Sequence, residues 1–154
     1  MLHKIFCTIE QARNLPTDQP LCIQITTDSE LSAALQILKT KQSLKGIQIP
    51  SILLPYLPPK HSANFISIQL FNPDHINYLP KHLTPKQQFI ELIIPPELCT
   101  ESLIKSLQGV RRIIIDFTKE NSTQISPDQI QSLFATLISY KFFPFTKGLT
   151  QGQA

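Results

Sequence analysis

An apolar-x-apolar pair returns five times along the chain at a nearly constant interval: Ile23 and Ile25, Ile47 and Ile49, Ile68 and Leu70, Leu92 and Ile94, Ile115 and Phe117. From Ile25 onward the second member of each pair steps by 24, 21, 24 and 23 residues. Alternation of this kind marks strands with one buried face. A step in the low twenties has room for a strand and a short return. A doubly wound sheet or a β/α barrel usually needs roughly ten residues more per unit for its helix and loops. The interval therefore predicts an α/β solenoid of about five strand-turn/helix repeats, forming a curved parallel sheet closed by a C-terminal capping helix.

The segments between the strands differ. Residues 29–39 carry Leu31, Leu35 and Leu38 at helical spacing, with Asp28 or Ser29 as cap. The next two returns hold prolines (Leu53 to Pro59 and Ile76 to Leu83), which a helix interior does not accept, so extended or single-turn segments are expected there. Residues 96–107 read as helical again. After a polar loop, Ser126, Pro127 and Asp128 open the best-signalled helix, with Ile130, Leu133, Phe134, Leu137 and Ile138 as its apolar residues. Residues 2–9 look like a strand, but Ile9 precedes Ile25 by only 16 residues. Residues 1–20 are accordingly expected to form an irregular N-terminal cap, 21–143 the repeat domain, and 144–154 a flexible tail.

At 154 residues, with 42% apolar and 16% charged side chains, the chain is expected to bury one core. Four glycines against thirteen prolines fit rigid connectors. A net charge of +3, without a dense basic run, argues against nucleic acid as a partner. No stretch has the roughly 20 apolar residues of a membrane helix, and the N-terminus lacks a Sec signal peptide pattern. A soluble protein is expected. Cys7, Cys22 and Cys99 are odd in number and widely spaced, which fits a reducing compartment better than a disulfide framework.

Two returns carry a more specific pattern. Ile68-x-Leu70 followed by Ile76-x-x-Leu79-Pro80-x-x-Leu83, and Ile47-x-Ile49 followed by Leu54-x-x-Leu57-Pro58, resemble the LxL…LxxLPxxL pattern of leucine-rich repeats. Leu15-Pro16 before Leu21-x-Ile23-x-Ile25 looks like the joint that precedes strands in the short repeats of bacterial virulence proteins. The resemblance covers about residues 15 to 118. It implies a concave parallel sheet that binds protein, as in small effectors of intracellular bacteria such as Legionella, some of which act on other effectors. It also implies residence in the bacterial cytoplasm or secretion into a host cytosol. The family's asparagine after each strand is approximated only by Asn72; Asp28, Ile52, Glu97 and Glu120 stand at the other places.

If the repeated pairs point inward, the residues between them face outward. That column reads Gln24, Gln48, Gln69, Ile93, Asp116, and the one before it Cys22, Gly46, Ser67, Glu91, Ile114. With Phe71, Phe89 and Arg112 they define the expected partner-binding set: Gln24, Gln48, Gln69, Phe71, Phe89, Glu91, Ile93, Arg112, Ile114 and Asp116. A solvated glutamine ladder, with Phe65 and Phe89 in the core, is the alternative. No catalytic motif appears, and His3, His61, His75 and His82 share no metal-ligand spacing. Glu91 and Asp116 in adjacent columns could form a carboxylate pair, with Arg112 making an ion-pair rim instead. Cys22 is the thiol that alternation leaves on the outer face. The expectation is a non-catalytic, monomeric module that needs no cofactor or metal, binds one protein, and inhibits or recruits it. A small α/β enzyme or ligand-binding domain, with a cleft near Thr26, Asn72 and Thr118, is the competing reading.

Overall fold

The structure, a computed structural model, describes residues 4–58, 60–78, 89–107, 110–118 and 126–147. The protein is α/β, and it divides into two compact units, residues 1–90 and 91–154.

In the first unit four strands pair in sequence order and in parallel: β1 (Ile5–Cys7), β2 (Leu21–Gln24), β3 (Lys45–Pro50) and β4 (Phe65–Gln69). Crossovers between parallel neighbours are right-handed as a rule, which puts consecutive returns on one face of the sheet. These returns are α1 (Ile9–Asn14), α2 (Asp28–Leu38), and two 3-10 segments, η1 (Ser51–Tyr56) and η2 (Pro73–Tyr78). The proline-bearing returns are thus single-turn segments, as their composition requires. Leu31, Ala34, Leu35 and Leu38 of α2 are buried together with Ile23, Ile25, Ile47, Ile49, Ile66, Ile68 and Leu70 of the strands. At roughly 1.5–3 kcal/mol for each fully buried large aliphatic side chain, this layer is the main stabilising element of the unit.

Two boundaries in this unit differ from expectation. Residues 5–7 form a full strand beside β2, and residues 9–14 its helical return, so the N-terminal segment is a short strand-return unit. Thr8 and Gln11 close a capping box that fixes this helix in place. The cap of α2 is Thr27, one residue before the expected site, because Thr27 Oγ1 accepts from the Glu30 amide while Glu30 reaches back to the Thr27 amide. Register also differs. Ile47 pairs with Ile66 and Ile49 with Ile68, a step of 19 residues where 21 was expected. The sequence Phe-Ile-Ser-Ile-Gln-Leu contains two overlapping apolar pairs, and sheet pairing uses the first. A slip of two keeps every side chain on its face but changes its lateral neighbours.

The second unit begins within β5 (Phe89–Ile94), followed by the 3-10 turn η3 (Pro96–Leu98), the helix α3 (Glu101–Lys105), β6 (Arg112–Asp116), α4 (Pro127–Ser139) and β7 (Phe143–Lys147). β5, β6 and β7 pair in parallel. Here too the pairing selects the earlier of two overlapping pairs: Leu92 aligns with Ile113 and Ile94 with Ile115. α4 starts at the expected Ser126 cap, completed by Gln129. Residues 144–147, expected in a loose tail, lie instead in β7, which pairs with β6; Pro144 is tolerated because proline is compatible with strands at a sheet edge. Leu79, Pro80 and Leu83 of the repeat-like pattern lie outside the described residues, as do residues 119–125.

Gly46 is the tightest point of the first sheet. A Cβ there would sit 2.5 Å from the Phe65 carbonyl oxygen and 2.8 Å from Phe65 Cβ and Cδ1. Gly46→Ala is expected to lower unfolding free energy by about 1–3 kcal/mol in a denaturant titration. Trimming the Phe65 ring should not restore it, since the nearest atom is backbone. A second expectation concerns acid. Hydroxyl and amide groups of Thr26, then of Thr27, bond the ionised Glu30 carboxylate and hold it below its ordinary range. The folded state therefore binds this proton more weakly than the unfolded chain. The stabilisation is full above the ordinary carboxylate pKa and is lost as pH falls through the depressed value. Glu30→Gln should flatten that part of the stability-pH curve.

Candidate functional site

The face of the first sheet opposite its returns is ordered in rows. The first row runs Phe6, Cys22, Gly46, Phe65 across β1 to β4. The missing side chain at Gly46 lets the Phe65 ring lie down on the sheet, where Phe89 stacks on it with centroids 5.5 Å apart and planes at 15°. Lys4 places its ammonium 3.3 Å from the Phe65 centroid and 5.4 Å from that of Phe6. Phe65 and Cys22 are buried, while Phe6 remains 47% exposed.

The second row is polar. Gln24 Nε2 donates to Gln48 Oε1 at 3.2 Å, and Gln48 Nε2 donates to Ser67 Oγ at 3.4 Å. Gln24 is exposed, Gln48 half-buried and Ser67 buried. Gln69 is not the third member of this row: the register sets it beside Pro50, one row further along. Phe71 follows, 38% exposed. The face therefore carries an amide-hydroxyl row with Phe6 on one side of it, and the exposed Phe71 stands two residues past the end of β4.

In the second unit the corresponding face holds Glu91, Ile93, Arg112, Ile114, Asp116 and Phe145. Glu91 sits opposite Arg112, and their side chains meet at 3.3 Å, with the Glu91 carboxylate buried and the guanidinium partly exposed. The same guanidinium lies 4.8 Å from the centre of Phe145, an aromatic residue that the sequence pattern did not single out. Ile93 pairs with Ile114, not with Asp116. Expected to be open, Ile93 is buried: β5 is apolar on both faces from Ile90 to Ile94, apart from the paired Glu91, as parallel strands covered on both sides are. Asp116 is buried as well, accepting from the Thr118 amide at 2.9 Å and from its hydroxyl. It stands four residues beyond the partner of Glu91, about 13 Å along the strand, so the two carboxylates form no pair.

Of the ten expected residues, Gln24, Gln48 and Gln69 lie on the outer face of the first sheet with exposed or half-exposed side chains, and Phe71, two residues past the end of β4, is exposed. Phe89 belongs to that unit but is engaged by Phe65. Glu91, Arg112 and Asp116 are occupied by contacts within the second unit, Ile93 is buried, and Ile114 is half-buried. Phe6 was missed because residues 1–20 read as a cap. Its signal was its place two residues before Thr8, the cap of a helix that must follow a strand.

Ser51 Oγ and His75 Nδ1 lie 2.7 Å apart, the separation of a nucleophile and its base, and His75 stacks on Tyr78. Ser51, however, is 2% exposed and at the buried start of η1, where no carbonyl substrate reaches it. The pair ties η1 to η2, bridging adjacent returns. The polar groups at the strand ends are also engaged locally: Thr26 Oγ1 with Glu30 at 2.6 Å, Asn72 Oδ1 with the Asp74 amide at 2.9 Å, and Thr118 with Asp116. Among the described residues no group of three or more His, Cys, Asp or Glu side chains could hold a metal ion, and no helix is long and apolar enough to cross a membrane.

Comparison with family models, with curated proteins and with solved structures finds no match. What the surface can do must be argued from its own chemistry.

The thiols give one direct test. Cys7, Cys22 and Cys99 are buried and none is in a disulfide; burial raises the Cys7 thiol and pushes that of Cys99 up to about 12. Cys22 lies in the row between Phe6 and Gly46 and is closed to solvent, contrary to its expected place on an open face. None should react with a thiol reagent such as DTNB at pH 8 in the folded protein, and all three should react in denaturant.

Proposed function

We propose that the chain is a non-catalytic protein-interaction module of leucine-rich-repeat-like build, which binds one protein partner through the outer face of its first sheet. The observation that carries this reading is the Gln24–Gln48–Ser67 row together with two solvent-exposed aromatic side chains, Phe6 on β1 and Phe71 just past β4. Aromatic side chains that shed water on contact are the strongest anchors at protein interfaces. Amide groups beside them offer donors and acceptors to a partner's backbone. Right-handed crossovers put the described returns α1, α2, η1 and η2 on the other side of the sheet. Strand steps of 16 to 24 residues and the Ser51–His75 bridge between returns support the repeat-like build. The role implied by the resemblance is that of an effector that inhibits or recruits another protein, a second effector included.

The test compares capture by variants. Phe6→Ala with Phe71→Ala, and separately Gln48→Ala, should each weaken retention of the partner, the aromatic pair by about tenfold or more. Melting temperature should stay nearly unchanged, because these side chains are exposed or half-exposed. Ser32→Ala, on the exposed side of α2, should bind as the parent does. Equal retention by all variants would sink the face assignment, and turnover of a small molecule by the purified chain would sink the non-catalytic reading.

A further inference from the structure

A cavity of about 510 Å³ runs along α2 in the first unit, on the return side and away from the face proposed for protein binding. That volume is in the range of small-molecule sites. One wall is a single stripe of the helix: Asp28, Leu31, Ser32, Leu35, Gln36 and Lys39. The facing wall is built from Tyr56, Pro58 and residues 60–62. Leu31 and Leu35 make an apolar floor, with Tyr56 and Pro58 across from it.

The two ends differ in charge. Asp28 opens α2 just after β2, at the C-terminal ends of the strands, and Lys39 follows its last turn about 16 Å away. The Asn64 amide donates to the Lys45 carbonyl at 2.8 Å, which places residues 60–62 at the same end as Lys39, where β3 and β4 begin. Lys39, Lys60, His61 and Ser62 therefore gather at one end of the groove. Among the described residues neither lysine forms an ion pair. Ser62 Oγ is closed to solvent and has no hydrogen-bond partner among the described residues, an uncommon state for a buried hydroxyl and one that a ligand oxygen would relieve. His61 Nδ1 accepts from the Ala63 amide at 3.2 Å, so the neutral ring carries its proton on Nε2 as a donor. Burial holds His61 below its ordinary pKa, which keeps it in that neutral form. The C-terminal half-charge of α2 opposes an anion here, but two full ammonium charges outweigh it.

We propose that this groove binds a small molecule with an anionic head, phosphate or carboxylate, on an apolar body. The head sits among Lys39, Lys60 and Ser62, and the body lies on Leu31, Leu35 and Tyr56. The assignment is independent of the protein-binding face.

The test is an NMR titration of the full chain with phenyl phosphate, benzoate, inorganic phosphate and benzylamine. Phenyl phosphate or benzoate should shift the amides of Leu35, Gln36, Lys39 and residues 60–62 saturably, and the tighter of the two names the head group. Inorganic phosphate should bind more weakly than the better of them, and benzylamine should not bind. Lys39→Ala and Lys60→Ala, both surface changes, should each weaken binding by at least about tenfold, as expected for loss of a charge-assisted contact. Lys105→Ala, in the second unit, should have no effect. Absence of a saturable shift, binding that survives both groove substitutions, equal loss in Lys105→Ala, or benzylamine or inorganic phosphate binding as tightly as the arenes would each overturn the site.

Discussion

Parallel neighbours cannot be joined by a tight turn, so each strand must be followed by a chain segment long enough to return to its starting level. In this protein that constraint is met with minimal length. Paired positions are 16 residues apart between β1 and β2, 24 between β2 and β3, 19 between β3 and β4, and 21 between β5 and β6. The content of each return follows from its length. The shortest holds a six-residue helix, the 24-residue step an eleven-residue helix, and the 19-residue step a 3-10 segment containing Pro55. Only the step from β6 to β7, 31 residues, accommodates the thirteen-residue α4. Right-handed crossovers put the described returns of the first unit on one side of its strands, and the candidate binding face is the other side.

Much of this arrangement is legible in the sequence, and what is not has identifiable causes. Ile47-x-Ile49 is flanked by Lys45 and Ser51, which leaves one pair to align, and Ile23 falls beside Ile47 as the spacing predicts. Phe65 to Leu70 and Arg112 to Phe117 are apolar for longer, and each offers two equivalent alignments. Pattern alone fixes the face but not the neighbour, and the expected third glutamine of the polar row therefore proved to be Ser67. β7 was hidden by Pro144, which argues against an interior strand but not against an edge. The Thr27 cap was one residue off because Thr, Asp and Ser follow one another there, and only the back-bond from Glu30 selects the first.

The candidate site illustrates the limit of alternation as a guide to exposure. A period of two tells which face a side chain occupies, not whether that face is covered. In the second unit the outward positions of β5 and β6 are consumed by the Glu91–Arg112 pair, by Asp116 capping its own strand end, and by the apolar contact of Ile93 with Ile114. In the first unit Gly46 has the opposite effect: its missing side chain makes a shallow trough into which Phe65 folds, carrying Phe89 with it. Phe89, expected at a partner surface, is thereby drawn into the molecule's own packing, while Phe6, expected in a cap, is left facing solvent.

The glutamine row has a directional character. Each carboxamide hands its N–H to the next strand, and Ser67 receives the last one, so the carbonyl oxygen of Gln24 is left as the leading acceptor. Reversal of any one amide would place two like groups against each other, and the row can change orientation only as a whole. Shortening either side chain by one methylene, as asparagine would, interrupts the relay at that strand. Two surface positions that solvent contact alone would leave free to drift are thus tied to one another, and genetic variation at Gln24 should be answered by compensating change at Gln48.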